Sequence, residues 1–122
     1  MTNAAQAYKK VEKTIANPRA VEANLLLHAA SRLQAIKDSW EGKTPEFDDA
    51  LLYNRRLWTV FLSSVTRPDN PLPAGIRQNV ANLGLFMLKN TMLILLDPRP
   101  EKLDSLIGIN QALAAGLTEK AA

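Results

Sequence analysis

The fold of this chain is decided by residues 53–86, which read Y-N-R-R-L-W-T-V-F-L-S-S-V-T-R-P-D-N-P-L-P-A-G-I-R-Q-N-V-A-N-L-G-L-F. Within this stretch, residues 67–73 contain three prolines, in the order R-P-D-N-P-L-P. A helix cannot continue through them, because each proline lacks an N–H group and restricts the residue before it. The stretch therefore predicts two helical segments joined by a stiff corner.

Both segments have the apolar spacing of helices that pack along one face. Steps of three and four residues place side chains on the same side of a helix. The segment before the corner has such a set at Phe47, Leu51, Asn54, Trp58, Phe61 and Val65. The segment after the corner has a second set at Ile76, Val80, Leu83, Met87, Asn90 and Ile94. We expect Trp58 and Phe61 in the core, and Asn54 as a buried amide whose hydrogen bonds fix the packing register rather than as a ligand contact.

Further helices are predicted on either side, and capping residues and prolines mark their ends. Asn17 followed by Pro18 is a start signal, because a polar side chain caps the first N–H groups and proline is tolerated in the first turn. Thr44 followed by Pro45 repeats the signal. The predicted boundaries lie near Asn17, at Gly42–Thr44, at Arg67–Pro73 and at Asp97–Pro100.

A shorter amphipathic segment occupies residues 4–16, with Ala4, Tyr8, Val11 and Ile15 on one face. The whole chain has 122 residues, a length that suits one domain with its own hydrophobic core. We therefore predict an all-α fold. It is a single domain over residues 1–122, built as a bundle of four longer helices plus a short N-terminal helix.

Side chains capable of catalysis or metal binding are scarce. The sequence contains no cysteine and one histidine, His28. Thiol nucleophiles, thiolate metal sites and disulfides are therefore excluded. No pair of acids lies at helical spacing on an apolar face, and the five glycines form no phosphate-binding loop. We expect His28 to lie on the flank of a helix, and the protein to be no enzyme, with no cofactor and no metal.

Two features of the sequence bear on membranes. The N-terminal residues lack the apolar region of a secretory signal. The most apolar run, residues 83–96, is interrupted by Lys89 and Asn90, so it falls short of the roughly 18 uninterrupted apolar residues of a spanning helix. We expect no membrane insertion.

The charge of the chain is concentrated at its N-terminus. The net charge is +3, and residues 1–20 contribute it through Lys9, Lys10, Lys13 and Arg19 against Glu12. Residues 21–122 carry eleven basic and eleven acidic side chains. Proteins that bind nucleic acid usually have a basic stripe or face. The pattern therefore predicts weak RNA binding or none.

The segment at residues 73–96 is the most apolar of the predicted helices and has a second apolar stripe opposite the first. This second stripe comprises Leu85, Leu88, Met92 and Leu96. A helix that is apolar on both sides is either central to the bundle, covered here by residues 4–16 and 100–116, or half-covered by a partner. The same stripe would serve a second copy of the chain equally well. We take it as the first candidate for a partner-binding site.

A second candidate is a polar group that flanks the proline corner. Its members are Arg55, Arg56, Asn70, Arg77 and Gln78. Adjacent arginines on one helix are weak evidence for a phosphate or carboxylate partner, because exposed arginines are common on solvated faces.

Four segments of the sequence are more distinctive than their helical spacing alone. They are N-A-A-Q-A-Y at residues 3–8, E-A-N-L-L-L-H-A-A-S-R-L at 22–33, Y-N-R-R-L-W-T at 53–59, and D-N-P-L-P-A-G-I-R-Q-N-V-A-N-L-G-L-F at 69–86. The N-P-L-P corner followed by I-R-Q-N at this offset is not a general helical pattern. In these segments the sequence resembles the FlaF family of flagellar biosynthesis regulators.

The resemblance implies a function that the residue pattern alone does not reach. It implies a cytoplasmic protein needed for the production and export of flagellin, acting alongside the regulator FlbT. It suggests binding to flagellin in the manner of a secretion chaperone. The alternative is a post-transcriptional regulator that acts on flagellin mRNA, directly or with FlbT. The resemblance brings no catalytic residue and no cofactor.

Overall fold

A computed structural model describes residues 18–118 of the chain, and within that range it contains helices and no strand. The elements are α1 (Pro18–Asp38), α2 (Pro45–Val65), α3 (Ala74–Leu96), a 3-10 turn (Pro100–Lys102) and α4 (Leu103–Thr118). The prediction of an all-α bundle with four longer helices is confirmed. The short helix predicted at residues 4–16 lies outside the described residues.

The capping signals place the helix boundaries well. The hydroxyl of Thr44 accepts a hydrogen bond from the N–H of Phe47 at 3.1 Å, and Pro45 is the first residue of α2. Helix α1 ends at Asp38, earlier than expected. Gly42 lies in the turn that follows, where its φ of 79° is a left-handed conformation that glycine adopts without strain. Gly42 therefore shapes the turn between α1 and α2 and does not itself cap α1.

Hydrogen bonds from the side chains of Asn70 and Arg77 hold the proline corner together. The amide of Asn70 donates to the backbone carbonyl of Ser64 at 3.1 Å and to its hydroxyl at 3.2 Å. The Asn70 carbonyl oxygen accepts from the N–H of Leu72 at 3.0 Å. Arg77, from the first turn of α3, donates to the carbonyl of Arg67 at 3.4 Å. The corner thus has a fixed geometry that folds α3 back onto α2.

The four helices form two pairs. Helix α1 packs most extensively on α4, and α2 packs on α3, while contact between α1 and α2 joins the two pairs. Helices α3 and α4 share only a small contact. The core lies between the pairs and is filled from all four helices. Its largest fully buried apolar side chains are Trp58, Phe47, Leu26, Leu33, Leu51, Met87, Leu103 and Leu106. Among the described residues, other helices therefore pack against only one side of α3.

A buried polar network crosses the centre of the core. Trp58 Nε1 donates to Asn110 Oδ1 at 2.8 Å, and Asn110 Nδ2 donates to Asn54 Oδ1 at 2.7 Å. Asn110 Nδ2 also reaches the Leu26 carbonyl at 3.4 Å, so the network ties α1, α2 and α4 together. Burial of Trp58 and Phe61 is confirmed. Asn54 is buried as predicted. Its Oδ1 accepts the hydrogen bond from Asn110, whereas its Nδ2 has no hydrogen-bond partner among the described residues.

Gly84 is buried where α3 packs against Leu62 and Trp58 of α2. A Cβ atom added there would lie 3.4 Å from Leu62 Cδ1 and 3.7 Å from Trp58 Cε3. These are ordinary contact distances, so a methyl group fits and a larger side chain does not.

We predict opposite effects for two substitutions at this position. Gly84→Ala should raise the free energy of unfolding by about 0.5–1 kcal/mol, because alanine loses less backbone entropy than glycine in a helix. Gly84→Leu should lower it by about 1–3 kcal/mol, because the extra methylenes overfill the contact with Leu62 and Trp58. Urea unfolding of both variants measures the two changes. Equal stability of the two variants would show that α2 and α3 are not packed closely here.

Candidate partner-binding face

The side of α3 that faces away from α2 is an apolar surface exposed to solvent. Leu85 is 59% exposed, Met92 63% and Leu96 79%. Phe86 and Leu93 lie on the same side and are 44% and 48% exposed. We call this surface the outer face of α3 and define it by Leu85, Phe86, Lys89, Met92, Leu93 and Leu96. Single exposed apolar residues are ordinary, but contiguous apolar patches mark interaction sites.

The opposite side of α3 is the packed one. Its buried residues are Val80, Gly84, Met87, Thr91 and Ile94. Leu83 and Asn90, both predicted to share this side, are half-buried. Ile76 was expected to be buried with them and is instead 46% exposed, because it lies in the first turn of α3 beside the corner, where α2 has already ended.

Three of the four predicted binding residues are exposed, namely Leu85, Met92 and Leu96. Leu88 is half-buried at the edge of the outer face. The alternative of a central, fully covered helix requires cover from residues 4–16 and 100–116. Helix α4 does not supply it, and residues 4–16 lie outside the described residues. The role of these four residues in partner binding stays a prediction. The sequence reading missed Phe86 and Leu93, which lie three residues before and four residues after Lys89 and so share its side of the helix.

The second candidate group does not form one site. Arg55 and Arg56 are exposed on α2, ten or nine residues before its end at Val65, a distance of about 15 Å along the helix. Asn70 and Arg77 make hydrogen bonds that stabilise the corner itself. Gln78 donates to Asn82 at 3.0 Å on α3. The structure therefore separates the two arginines from the corner and gives Asn70 and Arg77 structural contacts.

A cleft of about 240 Å³ opens beside the corner, at the end of the bundle where α1 begins and α4 ends. Its walls are largely apolar and include Phe61, Val65, Leu72, Val80, Leu113 and Leu117. Arg19 and Glu22 lie at its edge. Burial raises the pKa of the Glu22 carboxyl above its ordinary value, and the charge of Arg19 partly offsets this. The outer face of α3 differs from this cleft in that its apolar side chains are exposed along one side of a helix.

Helix α3 also resembles a membrane-spanning helix in length and composition. It is long and apolar enough to cross a membrane, and 28% of its most apolar 18-residue window is buried. The sequence reading did not expect such a helix, because Lys89 and Asn90 interrupt the apolar run at residues 83–96. Core helices of soluble proteins meet the same criteria, and α3 packs closely on α2 through Gly84. One such helix is weak evidence for a membrane protein, and the absence of membrane insertion stays a prediction.

Comparison with known proteins identifies the family. The model of the family described as flagellar protein FlaF matches residues 4–117, almost the whole chain. No curated protein and no solved structure matches the chain. The match includes the proline corner and all of α3, on which the outer face lies. The chain therefore belongs to the FlaF family of flagellar proteins.

Proposed function

We propose that this protein is a cytoplasmic, non-catalytic adaptor that binds flagellin and promotes its production and export. Membership of the FlaF family makes it a flagellar protein. The observation that carries the proposal further is the outer face of α3, on which five apolar side chains are between 44% and 79% exposed. Contiguous exposed apolar patches of this kind mark surfaces that bind a partner of matching apolarity.

The shape of the outer face suits a helix. Leu85 and Met92 are seven positions apart, as are Phe86 and Leu93, so the apolar residues recur every two turns. From Leu85 to Leu96 the face is about 16 Å long, or three turns. An amphipathic helix that lays its apolar side into such a surface is a common mode of peptide recognition. Flagellin terminal segments that form amphipathic helices and are unassembled before export would supply this partner. Binding would cover their apolar surface until export.

Direct binding of the two proteins is the first test. Purified monomeric flagellin mixed with this chain should give a complex on size-exclusion chromatography, with one copy of each protein in multi-angle light scattering. Assembled filaments should not bind, because their terminal helices are already packed. Separate elution of the two proteins at concentrations well above micromolar would overturn the proposal.

The alternative function, action on flagellin mRNA, has its own expected result. We predict weak, non-specific RNA binding through Lys9, Lys10 and Lys13, abolished by deletion of residues 1–16. Affinity for RNA falls steeply with salt where phosphate contacts dominate. Fluorescence anisotropy with a labelled flagellin mRNA leader measures this. Tight binding that survives both the deletion and physiological salt would favour the RNA-binding alternative over flagellin binding.

A further inference from the structure

A single positive charge stands in the middle of the outer face. Lys89 is exposed. Leu85 and Phe86 lie one turn before it, and Met92 and Leu93 lie one turn after it. All four are at least 44% exposed, so the cation is surrounded by apolar surface on the same side of the helix.

Lys89 has no counter-charge within the part of the chain that the structure describes. Lys89 makes no ion pair there, and α3 contains no acidic residue. The nearest acid along the chain, Asp97, pairs with Lys102 and Arg99. The hydrogen bond from Lys102 lowers the pKa of Asp97, so this carboxylate is ionised and already engaged. A helix that covers the outer face must therefore either leave Lys89 without a counter-charge or bring an acid to it.

A second copy of the chain is a poor occupant for this reason. In a symmetric dimer the same patch of both copies meets across a twofold axis. Lys89 is at the centre of the patch, because its apolar neighbours lie three and four residues away on both sides. An axis through the centre of the patch therefore places the two Lys89 side chains opposite each other. Like charges brought together in an interface oppose association.

From this arrangement we propose that the outer face of α3 selects its partner by charge. It accepts an amphipathic helix of flagellin that has an Asp or Glu within its apolar stripe and places that acid against Lys89. It rejects a second copy of the chain. The proposal rests on the proposed function for the identity of the occupant. The exclusion of a second copy does not depend on flagellin. Apolar contacts supply affinity, whereas the single charge pair fixes the register and excludes partners that lack the acid.

The first experiment measures self-association without flagellin. Sedimentation equilibrium of the full chain should show a monomer. Lys89→Met should associate into a dimer, because it removes the repulsion and completes the apolar patch. Asn82→Met is the matched control, since it adds the same side chain to the same side of α3, two turns away from Lys89, and leaves the charge in place. A monomeric Lys89→Met variant, or a wild-type dimer, would overturn the exclusion of a second copy.

The second experiment measures the affinity of purified flagellin by isothermal titration calorimetry. Lys89→Glu should weaken binding about 30-fold or more, because it replaces a charge pair in the interface by two like charges. Lys89→Arg should bind like the wild type. Lys43→Glu is the matched charge reversal, at an exposed lysine in the turn between α1 and α2 outside both candidate groups, and should also bind like the wild type.

The two experiments separate failure of this inference from failure of the proposed function. Equal flagellin binding by the wild type and Lys89→Glu would overturn charge selection and leave flagellin binding intact. Equal weakening by Lys89→Glu and Lys43→Glu would also overturn it, because the effect would then follow net charge and not the position of Lys89. Absence of flagellin binding by the wild type would overturn the proposed function, while dimerisation of Lys89→Met would still support the role of Lys89 in excluding a second copy.

Discussion

Trp58→Ala should lower the free energy of unfolding by about 3–5 kcal/mol, the largest loss of stability we expect from one substitution. Trp58 has no exposed surface and is among the largest fully buried side chains. Its ring packs edge-on against Phe61 with centroids 5.8 Å apart. Truncation removes this apolar contact and leaves a cavity at the junction of the helix pairs. It also removes the N–H that pairs with Asn110.

A second variant separates the two contributions. Trp58→Phe keeps most of the apolar volume but leaves Asn110 Oδ1 without its donor, and an unpaired buried polar atom costs about 1–3 kcal/mol. Urea unfolding followed by circular dichroism measures both variants. A loss below about 1 kcal/mol for Trp58→Ala would contradict the buried position of the ring. Equal losses for the two variants would show that the hydrogen bond, and not the packing, dominates at this site.

The sequence predicts the packed face of α2 almost completely. Phe47, Leu51, Asn54, Trp58, Phe61 and Val65 were expected to share one side, and all six are buried together with Ala50. This agreement has a physical reason. Helix α2 packs on both α1 and α3, and its buried side is a single stripe of mainly large apolar residues, which a spacing pattern detects.

The same reasoning was less successful for α3. Its packed side contains Gly84 and Thr91, which an apolar spacing pattern does not detect. The small size of glycine lets α3 lie close to α2 there. An apolar pattern also cannot distinguish a stripe that packs from a stripe that stays exposed. The stripe of Leu85, Met92 and Leu96 is distinguished only by the positions of the other helices.

The long-range hydrogen bonds of the core could not be predicted from the sequence. Asn110 lies in the apolar spacing of α4, yet its bonds are to Trp58, 52 positions away, and to Asn54, 56 positions away. Local periodicity contains no information about which buried polar groups meet. For the candidate site, the sequence supplied three of its residues, Leu85, Met92 and Leu96, and the structure added Phe86, Leu93 and the central position of Lys89.

Met92→Asp should weaken flagellin binding by about 2 kcal/mol or more, which is roughly 30-fold in affinity, if Met92 lies near the centre of the interface. The substitution replaces an apolar contact by a carboxylate one turn from Lys89, where it competes with the acid of the partner for that cation. Its side chain is 63% exposed in the free protein, so the charge is solvated there and the fold should be unaffected. Leu88→Asp addresses the same stripe, but Leu88 is half-buried, and a loss of binding there would be confounded by a loss of stability.

Val60→Asp provides a closely matched control. Val60 is also 63% exposed, lies on α2 rather than α3, and is outside the outer face. The two variants therefore carry the same new charge at the same exposure. Both should unfold at the same temperature as the wild type, and only Met92→Asp should affect the partner.

The most direct test of flagellin binding on the outer face of α3 is therefore to compare three proteins in one buffer: the wild type, Met92→Asp and Val60→Asp. The affinity for monomeric flagellin and the melting temperature are measured for each. Our account predicts three similar melting temperatures, wild-type affinity for Val60→Asp, and a loss of about 30-fold or more for Met92→Asp. Undiminished affinity of a folded Met92→Asp variant would contradict it, and would show that flagellin does not bind on the outer face of α3.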